Sequence, residues 1–195
     1  MQTLILNIEL LNYWHASSGM AGSTDIDTAV IRDADGLPYL PGRTLKGLLR
    51  EACHLRAEFA TNSSEQLQHV DTLFGTISEA GKPGGASIPG SISVSDARLS
   101  AALRSTLMAN RNAIAHLFST VSSTKIDKNG LAEDQTLRCI EVALPCRLEA
   151  QVNVPDHLID FMKQSLPLIR ELGSHRHRGL GRCVVTSATA NPSHS

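Results

Sequence analysis

Ten residues toward the C-terminal end, GSHRHRGLGR, set Gly173, Gly179 and Gly181 among His175, His177, Arg176, Arg178 and Arg182. Glycines let backbone N–H groups converge on an oxyanion, and arginine grips phosphate in a two-pronged fork, so this segment has the makings of an anion site. The same residues also suit a helix-to-strand turn with solvated arginines. A second basic stretch, YLPGRTLKGLLR at residues 39 to 50, opens a helix. With Thr44 as its cap, Leu45, Leu48, Leu49 and Ala52 form an apolar stripe, and Lys46, Arg50 and His54 stack one turn apart on another side. Like charges four apart repel by roughly 0.2–0.5 kcal/mol per pair, and the helix dipole disfavours cations in the first turn. That face is arranged for an anion, with Gly42, Arg43 and a free helix N-terminus completing a phosphate site. The alternative is an amphipathic helix whose basic side is solvated.

Neither stretch contains G-x-x-x-x-G-K-[ST], so a nucleoside triphosphatase of that type is excluded. Just upstream of the basic helix lie Asp25, Asp27, Asp33 and Asp35. A carboxylate beside a phosphodiester is repelled, so it needs another role: holding a divalent cation or moving a proton from a ribose hydroxyl. Acidic residues in turns are the plain alternative. His15 is a candidate general base near the same loop, or a packing residue at a strand end.

The elements that must position these groups follow from periodicity. Leu4, Leu6, Ile8 and Leu10 alternate as a first strand. A small, polar stretch from 16 to 28 precedes a short strand, TAVIRD, and a turn, ADGLPYLPG, into the basic helix, which ends near Phe59 or Ala60. Residues 75 to 91 are rich in Gly, Ser and Pro and read as a mobile loop, closed by the strand-like SISVSDARL. An irregular apolar pattern over 99 to 118 predicts helix. Asn129-Gly130 signals a turn between residues able to pair as an extended hairpin. CIEVALPCRLEAQVNV reads as a strand with Pro145 at an edge or bulge. A second helix is expected from Pro155, kinked at Pro167, with Leu158, Phe161, Met162, Leu168, Ile169 and Leu172 inward and Gly173 as its stop. CVVTSATA is the last strand. Together these predict an α+β fold, helices on one face of an antiparallel sheet.

A chain of 195 residues suits one domain with its own core, and 42% hydrophobic with 19% charged residues is ordinary for a globular protein. Net charge is −1, so any nucleic-acid binding rests on local patches. Only 4% of residues are aromatic, which disfavours broad base-stacking platforms and favours backbone contacts. Cys53, Cys139, Cys146 and Cys183 show no metal-ligand spacing and read as buried free thiols of a reducing cytoplasm. The N-terminal pattern reads as a strand rather than a signal peptide, and no run is long enough to cross a membrane.

LPYLPGRTLKGLLR resembles the signature of the RAMP superfamily, in which a strand, a P-G turn and an S-L-K-G helix start recur. LFG with a Gly-rich loop and ISVSDARL resembles the middle segment of that family, and GSHRHRGLGRC its glycine-rich loop. IDTAVIRDADGLPYLPG is similar to the backbone subunit of type III CRISPR-Cas effectors, most like type III-A. The resemblance runs from about residue 4 to 187. It implies a ferredoxin-like, RRM-related core in one domain over residues 1 to 195. It also implies a β-hairpin thumb at about 119 to 142 that intercalates into a guide-target duplex. By the same resemblance, copies assemble as a filament on guide RNA beside other effector subunits in a prokaryotic cytoplasm. Asp27 becomes the residue that cleaves single-stranded target RNA, with Mg2+ or Mn2+, by attack of the neighbouring 2′-hydroxyl. Arg43, Lys46, Arg50, His54 and the loop from Gly173 to Arg182 would hold the guide backbone. Arg43 and Thr44 depart from the serine usual before Leu-Lys-Gly. Asp25 would share the face of Asp27 along an extended strand. Two rivals remain: a structural subunit that lines the guide without cutting, and a metal-independent guide-processing endonuclease using His15 or a loop histidine.

Overall fold

Alternation in the first ten residues becomes strand β1, Gln2–Leu10, in the computed structural model, with Leu4, Leu6, Ile8 and Leu10 buried on one side. The structure describes residues 1–17, 19, 26–76, 88–131, 133 and 136–189. Asp25 and most of the Gly/Ser/Pro-rich loop at 75 to 91 lie outside the described residues.

Helix α1 spans Gly42–Glu58 and α2 spans Ser63–Phe74; β2, Gly75–Thr76, then pairs with β3, Ile88–Pro89. The short strands β4, Ser93–Val94, and β5, Arg98–Leu99, precede α3, Ala101–Ala109, and a 3-10 turn over Arg111–Leu117. Strands β6, Phe118–Ser123, and β7, Arg138–Ala143, form an antiparallel hairpin. Strand β8, Arg147–Val154, leads to α4, Ile159–Ser165, and β9, Cys183–Thr189, closes the fold.

The main sheet runs β4-β8-β1-β9, with β5 also on β8, and every pairing is antiparallel. Taken along the main sheet, β1, α1, β4, β8, α4 and β9 follow the order β-α-β-β-α-β, the ferredoxin-like arrangement. On β8 the buried residues again alternate, Leu148, Ala150, Val152 and Val154. α1 adds Leu45, Leu48, Leu49, Ala52, Cys53 and Ala57 to the same core. Each fully buried leucine there contributes roughly 1.5–3 kcal/mol.

Several expectations change. CIEVALPCRLEAQVNV is two strands in different sheets: Leu144 donates its N–H to Leu117 C=O, and Cys146 C=O accepts from Leu10, so the chain turns at Pro145 from hairpin to main sheet. TAVIRD is extended but only bridges its neighbours, Ser17 to Val30 and Thr28 to Ile140. The helix after Pro155 is a 3-10 turn, α4, and a second 3-10 turn ending at Leu168; Ile169 is already extended. Pro167 therefore belongs to the helix's last turn and no helix continues to Gly173. Leu172 bonds instead to Gly181 C=O, Cys183 N–H to Arg170 C=O, and Leu168 stays partly exposed. Helix α2 had no counterpart in the periodicity reading. Cys53 and Cys183 are buried free thiols, whereas Cys139 and Cys146 are half-buried. Burial raises the thiols of Cys53, Cys146 and Cys183 to about 11.

Candidate nucleic-acid interface

Thr44 does not cap α1. The helix begins two residues earlier, and Asp96 Oδ1 accepts the Gly42 N–H at 2.9 Å. Gly42 permits this: a Cβ there would stand 2.6 Å from Val94 C=O and 2.9 Å from Ser95 C=O. The helix N-terminus is thus sealed by the protein's own carboxylate, and the positive end of its dipole faces Asp96. What α1 offers an anion is its side chains. His54 pairs with Glu58 at 3.3 Å. Arg56 is held by Gln66 and Gln164 and lies over the Phe161 ring. Arg43, Lys46 and Arg50 make no ion pair with a described residue.

The glycine-rich loop is built from backbone close approaches. A Cβ on Gly173 would meet His15 C=O at 2.4 Å, and one on Gly181 would meet Leu172 C=O at 1.9 Å. Both have positive φ, as do Gly179 and His175, the latter at 61°. The amides here point inward: Ser174 donates to His15 C=O, Arg178 to His175 C=O, Gly179 to Arg176 C=O and Gly181 to Tyr13 C=O. Asn12 ties the loop down, donating to Gly179 C=O and accepting the Arg182 N–H. The glycines therefore shape the loop, and the amides of Ser174, Arg178, Gly179, Gly181 and Arg182 are spent within the fold.

Arg176 is likewise engaged. Its guanidinium bonds both carboxylate oxygens of Glu51 on α1, at 3.0 and 3.2 Å. A pocket of about 290 Å³ lies at the same seam, between Leu48, Glu51, Ala52 and Leu55 of α1 and residues that include Arg176 and His177. The two basic segments thus adjoin. Glu51 follows Arg50 by one residue, about 100° round the helix, so the loop docks on the flank beside the basic stripe.

Asp27 sits elsewhere in this neighbourhood, beside the start of β7, at the end of the paired strands nearest the hairpin's connecting loop. Its N–H donates to Cys139 C=O and its Oδ2 accepts the Cys139 N–H, both at 2.8 Å. Thr28 C=O accepts from Glu141 N–H, so residues 27 and 28 lie parallel along the outer edge of β7. The exposed Asp27 lines a cleft of about 530 Å³ with Ser123, Lys125, Thr136, Arg138 and Arg178. Asp33 and Asp35 are placed apart from it. Arg104 bonds both, and Arg98 bonds Asp33 and Asp96. Burial alone would push the Asp33 carboxyl up. The hydrogen bond from Arg104, those from the Leu37 and Asp35 amides and the Arg104 charge more than offset it and hold the group below 3.8.

Sequence reasoning missed Glu141, which is 8% exposed. Its carboxylate accepts the Val30 N–H at 3.0 Å and pairs with Arg32 at 2.6 Å, while Arg32 lies 3.8 Å over the Phe118 ring. This clamps the segment carrying Asp27 onto the hairpin. A lone acid within the apolar alternation of CIEVA was the available signal. His15 is 1% exposed, with Nδ1 2.6 Å from Glu141 C=O and its ring edge-on to His175. Burial lowers its pKa below 6.5 and leaves it without the solvent access a processing base needs.

The RAMP superfamily family model matches residues 7–184. No curated protein matches the chain. Among solved structures it is similar to a chain of the type III-B Cmr-beta complex bound to cognate target RNA, determined by cryo-electron microscopy. The two share 14% identity over 96% of this chain and 97% of that one, with a TM-score of 0.69. It is similar to a chain of the apo state of type III-B Cmr-beta: 13% identity, 98% of each chain, TM-score 0.65. A chain of a type IV-B CRISPR complex matches with 17% identity over 99% of this chain and 93% of that one, TM-score 0.61. The likeness in fold spans types III-B and IV-B and does not single out III-A.

Proposed function

The chain belongs to the RAMP superfamily, and from that footing we propose that it is a backbone subunit of a type III CRISPR effector, binding guide RNA and cutting complementary target RNA. The observation that carries this reading is the placement of Asp27: a fixed, exposed carboxylate beside the start of β7, in a cleft it shares with cations.

Guide phosphates lie along Arg43, Lys46 and Arg50 of α1, which make no ion pair with a described residue. Such contacts hold a strand whatever its bases. Asp27 accepts the proton of a target 2′-hydroxyl as that oxygen attacks the adjacent phosphorus. A 2′,3′-cyclic phosphate forms, the bond to the 5′-oxygen breaks, and that oxygen leaves with a proton from solvent. The bond from Cys139 N–H holds one oxygen of the Asp27 carboxylate in place at the cleft. Among the described residues no three His, Cys, Asp or Glu cluster as metal ligands. Mg2+ and Mn2+ nevertheless fit a site with one carboxylate when substrate phosphate supplies further oxygens, so Asp27 is the residue that would hold one. When bound, the ion supplies positive charge to the phosphoryl oxygens. The remaining partners in this proposal are further copies of the chain in a filament and other type III subunits, in a prokaryotic cytoplasm. No described helix is long and apolar enough to cross a membrane.

The test is a complex reconstituted with guide RNA and challenged with labelled target. Asp27→Ala should assemble normally and lose the regularly spaced cuts, while the wild-type complex loses them in chelator. Undiminished cutting by Asp27→Ala would remove this residue from the mechanism, and cutting that persists in chelator would remove the metal.

A further inference from the structure

The cleft at Asp27 carries more positive charge than the two basic motifs assign to it. Lys125, Arg138 and Arg178 all line it. Lys125 is committed to Glu133 at 2.9 Å. Arg138 and Arg178 are exposed and make no ion pair with a described residue.

Their directions are set by the backbone. Residues 176 to 178 form a single 3-10 turn, so Arg176 and Arg178 leave it about 240° apart. Arg176 is spent on Glu51, and Arg178 reaches the cleft instead. Asn12 and the close-packed Gly181 hold that turn in place. Arg138 is the first residue of β7, immediately before Cys139, whose N–H fixes the Asp27 carboxylate. Two guanidinium groups from distant parts of the chain therefore flank one carboxylate in one cleft.

We propose that Arg138 and Arg178 are a phosphate clamp for the strand being cut, so that Arg178 serves the target rather than the guide. The assignment rests on the proposed function and deepens it. A carboxylate repels the phosphodiester it must act on, and the repulsion grows as negative charge builds on the attacked phosphorus. Planar forks that grip phosphate oxygens on either side offset both effects, most strongly at the transition state. Lys46 and Arg50 on α1 do not line this cleft.

The experiment uses guide-loaded complexes in two arms. In an Asp27→Asn background, which keeps target intact, target affinity is measured against salt concentration. Arg138→Gln and Arg178→Gln should each flatten the log–log slope by roughly 0.7, the share of one phosphate on a single strand, with guide retention unchanged. In the Asp27 background, each should slow single-turnover cleavage at saturating target about 100-fold, with Arg178→Lys recovering part of the rate. An unchanged slope with an unchanged rate overturns the clamp. Loss of guide on Arg178→Gln with a normal cutting rate overturns it too, returning Arg178 to the guide. Cutting that continues in Asp27→Asn, alongside flattened slopes, would instead overturn Asp27 as the cutting group and leave the clamp standing.

Discussion

Glu51 on α1 and Arg176, 125 residues later, meet in a two-pronged ion pair at 3.0 and 3.2 Å. The pair joins the helix and the loop that the sequence marks as basic, and it takes one arginine of that loop out of service. Glu51→Ala and Arg176→Ala should each cost at most about 1 kcal/mol, because Glu51 is largely exposed. A double-mutant cycle in urea unfolding measures the coupling. Arg176→Ala should also leave the salt dependence of RNA binding nearly unchanged.

Lys46 and Arg50 should behave differently. Replacing both with alanine is expected to flatten the salt dependence of RNA binding by about two single-strand contacts, roughly 1.4 in slope. The loss should be equal for unrelated RNA sequences, as filter binding across a salt series would show. A strong base preference would contradict backbone recognition.

The loop's glycines separate by what surrounds them. Gly181→Ala drives a Cβ to 1.9 Å from Leu172 C=O at a positive φ, and should cost about 2–4 kcal/mol. Gly179 has equally unusual backbone angles but open space, so Gly179→Ala should cost only about 1–2 kcal/mol. At roughly 2–4 °C per kcal/mol for a chain of this size, thermal melting distinguishes them.

Glu141 holds the segment that carries Asp27 onto the hairpin. Glu141→Ala leaves the Val30 amide and Arg32 without their buried acceptor and should cost about 1–3 kcal/mol. The diagnostic readout is local: hydrogen exchange at Val30 should accelerate far more than at amides of β1. Equal acceleration everywhere would mean the clamp is not local.

His15 makes stability depend on pH. Burial holds its folded pKa below 6.5, so the unfolded chain binds a proton that the folded chain refuses. Its contribution is complete above pH 6.5 and falls away as pH drops through and below that value. The gap in melting temperature between pH 7.5 and 5.5 should narrow in His15→Gln, measured by circular dichroism.

Local rules made the frame legible. Strand β1 and the apolar side of α1 follow from alternation and helical spacing alone, as does the hairpin turn at Asn129-Gly130. Helix α2 carries a start signal that periodicity overlooked: Asn62 and Glu65, three apart, bond to each other, and Gln66 bonds Asn62. Other features are tertiary and leave little local trace. Asp96 reaches Gly42 from 54 residues away, and Glu141 reaches Val30 from 111. Ile169 abandons the helix because residues 170 to 172 find partners at 181 to 183. The basic residues were visible by type, but which of them a neighbouring carboxylate would neutralise depends on the folded chain.

The parallel seating of Asp27 and Thr28 along β7 has a mechanical consequence. In the cutting role proposed for Asp27, blade and anvil would be one piece, since Asp27 is hydrogen-bonded to β7 and moves with the hairpin. In a row of such subunits, the interval between successive breaks would be inherited from the protein's own repeat, like the teeth of a comb, and would stay constant whatever nucleotide lay beneath each tooth.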